Sequence, residues 1–385
     1  MNNISTQSPH SSRAAVSIFF LIHGINLASW ASRIPDIKAA MDINDAQMGT
    51  LLLVMPISSL LGLAASSWIL RSFDNKVPLI VAMIAQSIAL ACIGISSSLI
   101  ALGSSLFFMA LAFRVGGIAM NTQAVILQKS YAKPINGSFH AMWSFGGILA
   151  VGLTSLMIAL DVPMHTHLIW TSVCIGIFAI VCYPWLPSGD RATEGSKIKM
   201  GKPDKPLFLL GVLILLASFC EGGMFDWSGV YFKDIVNVEV YTAGYFTFMI
   251  CMTIARLLLD KLVARIDNKK IYIGSSLLIV GGILLAVLLP NLIPAMIGFS
   301  VVGMGTAVVI PTTFLMAGDS KKYSAGMAIS IISSYSVVGM LFGPPLIGFI
   351  SEAFGLQVSF LFFALMGLLI LPVSLMYFHA VKRQD

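Results

Sequence analysis

The sequence predicts an all-α polytopic membrane protein: twelve transmembrane helices in two six-helix pseudo-repeats. Three observations carry this. Hydrophobic residues make up 57% of the 385 and charged ones only 10%, where soluble domains carry about 25% charged residues. Long apolar runs recur from end to end, each near the ~20 residues needed to cross ~30 Å of hydrocarbon. The basic residues collect in alternate connections between those runs, which is how such chains encode their orientation.

The elements follow in order. A polar start, "MNNISTQSPHSSR", leads into a first span at 14–32. Its "LASWAS" offers the small residues of a cleavage site, but more apolar segments follow, so the span is expected to be retained. Further spans are expected at 46–70, 77–98, 100–127, 138–160 and 168–186. The stretch 187–206, "PSGDRATEGSKIKMGKPDKP", is the longest polar one and reads as a flexible linker at the midpoint. Six more spans are expected at 207–232, 242–263, 271–290, 292–316, 325–350 and 357–378. Each must be a helix, because lipid offers unpaired backbone groups no partner. The expected organisation is an N-terminal six-helix bundle over 1–186, a cytoplasmic linker over 187–206 and a C-terminal bundle over 207–385.

With the N-terminus in the cytoplasm, 18 of the 23 Lys and Arg fall on the cytoplasmic side. Only Arg33, Lys38 and Lys233 fall opposite, and Arg114 and Arg256 lie inside spans. The net charge of +6 is therefore a topology signal rather than a nucleic-acid surface. Both termini are expected inside, in a bacterial cytoplasmic (inner) membrane. The five cysteines sit in apolar runs without ligand spacing and read as packing residues. "HTH" at 165–167 reads as a loop and not as a metal site. No cofactor or metal is expected.

The halves resemble each other. "FDNK" at 73–76 returns as "IDNK" at 266–269, and Ser144 and Gly147 return as Ser336 and Gly339. Trp30 and Trp227 fall at corresponding places near the ends of spans one and seven. Two parallel six-helix repeats form a transporter plan.

Polar residues inside spans are costly and tend to have tasks. Span one holds His23 and Asn26; span four Arg114, Asn121 and Gln123; span five His140; span seven Glu221 and Asp226; span eight Arg256. Spans three, six, nine and twelve are nearly clean, Gln86 apart. That pattern suits a central aqueous cavity with every third helix facing lipid. His23, Asn26 and Trp30 share one helical face, as do Arg114, Gly117 and Asn121, and His140, Trp143 and Gly147. Asn and Gln offer donors and acceptors and Trp an apolar stacking face. The set suits a small polar organic solute of sugar-like kind. The alternative is that these groups merely join helices.

We take Asn26, Trp30, Arg114, Asn121, Gln123, Trp143, Glu221 and Trp227 as candidate substrate-binding residues. Glu221 and Asp226 are the candidates for proton coupling, since a carboxyl in the outer half of a span can load and release a proton; Asp226 lies closer to the surface, where the alternative is an interface anchor formed with Trp227. Arg114 is a fixed cation that can hold an anion or Glu221 itself. Arg256 lies one turn before Asp260 and is expected in a structural or gating ion pair with it. "GMG" at 303–305 lacks the strand and third glycine of a dinucleotide loop and reads as close helix packing. "GMLFGPPLIG" at 339–348 marks a kink.

The whole chain resembles the major facilitator superfamily. "RLLLDKLVARIDNKK" at 256–270 resembles its acidic–basic loop signature, with Asp260 matching the acid and Lys261 and Arg265 the bases. "GMLFGPPLIG" resembles its glycine–proline motif. After span two, Arg71 and Asp74 stand where the superfamily has an Asp with a Gly three residues on. "RVGGIA" resembles the span-four arginine motif with its glutamine missing. "GINLASWASRIPDIK", "AMNTQAV" and "EGGMFDWSGVYF" resemble the branch of rhizopine-transport-like proteins, related in plan to sugar permeases. The resemblance implies a secondary active transporter working by alternating access, with protons, a small-molecule solute and the bilayer as partners and a monomer as its form. A multidrug or metabolite exporter is the close alternative and a membrane sensor the distant one. An enzyme would want a nucleophile–base pair or metal cluster, and the sequence offers neither.

Overall fold

The computed structural model of the chain describes residues 8–128, 130–132, 135–187, 203–263, 265–320, 322–323 and 325–382. Most of the predicted linker, 188–202, therefore lies outside the described residues. The first unit carries α1 (Pro9–Ala31), the short α2 (Ile34–Ala40), most of α3 (Asp45–Ser72), α4 (Lys76–Ile95), α5 (Leu99–Gln128), α6 (Asn136–Ala159) and α7 (Met164–Cys182). The second carries α8 (Lys205–Asp234), α9 (Ala243–Val263), α10 (Asn268–Leu288), α11 (Leu292–Gly318), α12 (Ala325–Phe354) and α13 (Leu356–Lys382). Eleven of these described helices are long and apolar enough to cross a membrane, and the Ala243–Leu259 part of α9 is a shorter apolar helix.

Local chemistry starts and stops the helices. Ser8 caps α1 by accepting from the Ser11 amide, and Pro9 follows at the first helical position. Asn44 and Gln47 form a reciprocal box at the start of α3: the Gln47 amide donates to Asn44 Oδ1 at 2.8 Å and the Asn44 amide to Gln47 Oε1 at 3.0 Å. Asp204 caps α8 and Asp267 caps α10. Asp42 ends the α2 segment at φ 50°, a left-handed geometry that Asp tolerates.

Close packing needs small residues where helices cross. In the first unit α1 lies against α6: a Cβ on Gly24 would stand 2.2 Å from the Trp143 carbonyl oxygen, and one on Gly146 2.1 Å from that of Leu21. In the second, α8 lies against α12 in the same way, where a Cβ on Gly339 would stand 2.4 Å from the Leu215 carbonyl oxygen. The other partners repeat as well. Helix α4 packs on α5 and α7, as α10 packs on α11 and α13.

One segment groups differently from the expected bundles. Ile43–Leu53, the loop and first turns of α3, belongs by its contacts to the second unit. Gly49, lacking a side chain, lets the backbone approach Pro345 and Gly348. The Ser351 hydroxyl donates to the Asp45 carboxylate, and Asn44 Nδ2 donates to Glu352 Oε1 at 3.1 Å.

Candidate substrate cavity and charge pair

The first unit contains an open cavity of about 640 Å³. Helix α1 contributes Phe20 and His23, α5 contributes Arg114, Gly117 and Asn121, and α6 contributes His140 and Trp143. The 3.6-residue period explains this: Arg114, Gly117 and Asn121 lie one above another on α5. The His23 ring stacks on Phe113 with centroids 3.8 Å apart and planes 15° apart. His140 meets Phe20 edge-on at 5.4 Å. Asn121 is exposed, and its Nδ2 donates to the Gly117 carbonyl at 2.8 Å, leaving its oxygen open to the cavity. Arg114 has no hydrogen bond or ion pair with the described residues, and its Nε is buried without a partner.

The second unit contains a charge pair. Arg256 Nη2, on α9, stands 2.8 Å from Glu221 Oε1 and 2.9 Å from Oε2, on α8. The side chains are 27% and 12% exposed, so water screens the pair only in part. Asp226 lies five residues beyond Glu221, ~7.5 Å along α8. It is half-buried and makes no hydrogen bond or ion pair with the described residues, with the Tyr245 phenol within electrostatic reach of both carboxylates.

The candidates divide accordingly. Arg114, Asn121 and Trp143 meet in the cavity. His23 and His140 join them there; the sequence marked both as polar residues within spans without placing them in the site, and their helical spacing was the signal. Asn26, Trp30, Gln123 and Trp227 are sealed in helix contacts. Asn26 Nδ2 donates to the Gln86 carbonyl at 3.3 Å, Gln123 Nε2 to that of Pro187 at 3.0 Å, and Trp227 Nε1 to that of Pro344 at 2.9 Å. Trp30 is fully buried. Glu221 takes its cation from Arg256, not from Arg114. Arg256 thus faces α8, while the side chains of Asp260 and Lys261 lie outside the described residues and Arg265 is exposed. The "HTH" stretch is the first turn of α7 rather than a loop.

The family described as Major Facilitator Superfamily matches residues 16–322 and 245–385. The chain belongs to the major facilitator superfamily. Its relatives agree. An uncharacterized MFS-type transporter of Yersinia pestis is 30% identical over 375 residues, covering 94% of each chain. The membrane protein MosC of Rhizobium meliloti is 26% identical over 373 residues, 94% of this chain and 89% of that one. Among solved structures, a bacterial homologue of the human lysosomal transporter Spinster, in an inward-facing and unoccupied conformation, superposes with a TM-score of 0.78 at 13% identity over 97% of each chain. The nucleoside transporter NupG superposes with a TM-score of 0.78 at 12% identity, over 95% of this chain and 98% of that one. At such identities the likeness is one of fold. This superfamily member is an integral multi-pass membrane protein of a transporter family, not an enzyme.

Proposed function

We propose that this chain is a proton-coupled secondary active transporter that carries a small polar organic solute, sugar-like in its hydroxyl content, by alternating access. The observation that carries the reading is the cavity of the first unit, where an arginine without a partner among the described residues, an asparagine, two histidines and a tryptophan meet within an apolar bundle. A fixed guanidinium asks for acceptor oxygens, and Trp143 offers a ring face to the apolar side of a sugar-like body. The aromatic share of the lining favours a second reading, an exporter of drugs or metabolites. An exporter of apolar cations wants acid in its cavity, however, and this lining carries Arg114 instead.

Glu221, Asp226 and Arg256 form the coupling region in this reading. While Arg256 touches Glu221 the carboxylate is charge-matched. When the pair separates, a transported proton takes the place of the guanidinium. We place the protein in a bacterial cytoplasmic membrane, as a monomer with both ends inside.

The test is a thermal-shift screen of the purified protein against sugars, polyols, amines and drugs, followed by transport of the hits in proteoliposomes. A polyhydroxylated solute is expected to raise Tm, and Arg114→Ala to remove the rise. A rise only with apolar cations, or an undiminished rise in the variant, overturns the substrate reading. Glu221→Gln is expected to lose accumulation driven by a pH gradient while keeping counterflow exchange; normal accumulation removes Glu221 from the coupling step.

A further inference from the structure

The cavity between α1, α5 and α6 carries a charge that its own wall does not balance. Arg114 is the one permanently charged side chain among the described residues that line it, and no carboxylate stands among them. An arginine is not deprotonated in proteins, so the cavity stays positive at any working pH. Glu221, the counter-ion that the sequence offered, is held instead by Arg256 at 2.8 and 2.9 Å.

The guanidinium is presented for contact. Its Nε is buried without a partner. Nη1 and Nη2 have no partner among the described residues either, but they are not sealed off, so the forked end of the group opens into the cavity that Arg114 lines. Two parallel N–H groups in that fork match the two oxygens of a carboxylate. Asn121 lies seven residues further along α5, ~10 Å of helix. Its Nδ2 is spent on the Gly117 carbonyl at 2.8 Å, which leaves its oxygen to accept from a hydroxyl. Gly117 lies between the two. A Cβ there would come within 3.6 Å of His23 Nε2, so its absence keeps the wall open from the cation to the amide. A solute that meets both ends is the size of a sugar rather than of a two-carbon acid.

Given the polyol carrier proposed above, we propose that its solute is a monoanionic sugar acid, an aldonate or uronate, whose carboxylate pairs with Arg114 and whose hydroxyls reach Asn121. Arg114 is then the residue that selects solutes by charge. A single guanidinium balances a single carboxylate. A phosphate ester, with about two negative charges, leaves one of them unmet in the cavity. An amino sugar brings a second cation against Arg114. A neutral sugar leaves the fork without an anion.

The first test needs no variant. The purified full-length protein is titrated at constant ionic strength with glucuronate, gluconate, glucose, glucosamine and glucose 6-phosphate, and affinity is read from the ligand-dependent rise in Tm. A sugar acid is expected to bind about tenfold tighter than glucose or better, the scale of a charged hydrogen-bonded pair, with glucosamine weakest. Arg114→Gln is expected to bring the acid to the level of glucose, and Arg114→Lys to keep part of the preference. Glucose binding as tightly as either acid overturns the charge assignment and leaves the polyol carrier standing. So does tightest binding of glucosamine or of the phosphate ester. A preference for the acid that survives in Arg114→Gln removes Arg114 as the selecting residue. Binding of none of the five overturns the sugar acid and the polyol carrier together.

Discussion

Arg256 places a single nitrogen between both oxygens of Glu221, so each charge depends on the other. Removing one partner of a buried pair leaves the other charge unmet, at ~3–5 kcal/mol when burial is complete. This pair is partly exposed, so the cost falls at or below the lower end. Arg256→Ala and Glu221→Ala are each expected to lower Tm by several degrees, and the two combined by less than the sum of the single changes, as expected for groups in contact. Additive losses in a double-mutant cycle would mean that the pair contributes nothing. Part of the candidate site was legible from residue type and spacing. Arg114, Asn121 and Trp143 lie on faces that the spacing singled out, and those faces line the cavity. Asn26 and Trp30 had equally regular spacing, yet they turn inward to neighbouring helices, and Gln123 and Trp227 are likewise buried. Helical periodicity tells which residues share a face but not what that face meets. The Glu221–Arg256 partnership, 35 residues apart, depends on how α8 and α9 pack, which no local pattern records.

At the level of elements, the hydrophobic pattern located the helices well because bilayer thickness fixes their length. Its misses have local causes. The short α2 falls in an expected loop, where Pro35 in its first turn was the available signal. Helix α7 begins at Met164, before the expected 168, because a polar "HTH" turn hides the start of an otherwise apolar helix. Glycines sort the helix contacts further. A Cβ on Gly146 or Gly339 would collide with a facing backbone oxygen, while Gly274 and Gly281 have nothing within 4 Å. Gly146→Ala and Gly339→Ala are therefore expected to lower Tm and yield of folded protein. Gly274→Ala is expected to be neutral or stabilising by up to ~1 kcal/mol from helix propensity. Equal behaviour of the two classes in a melting series would contradict the packing described for α1 with α6 and α8 with α12.

For the molecule as a whole, the sequence carried the fold class, and the repeated pairings bear out the internal resemblance: α1 with α6 as α8 with α12, and α4 with α7 as α10 with α13. Placing 18 of 23 basic residues on one side predicts that fluorescent-protein fusions at either terminus are bright and that a C-terminal alkaline phosphatase fusion is inactive. Active phosphatase there would reverse the orientation. Pro344 and Pro345 interrupt α12. Having no amide hydrogen, they leave the carbonyls of Met340 and Leu341 without helical donors. Trp227 ties α8 to this weak joint through the Pro344 carbonyl, two turns from Glu221. Any flexing at that joint would be passed, through this one hydrogen bond, to the stretch of α8 that bears Glu221 and Asp226.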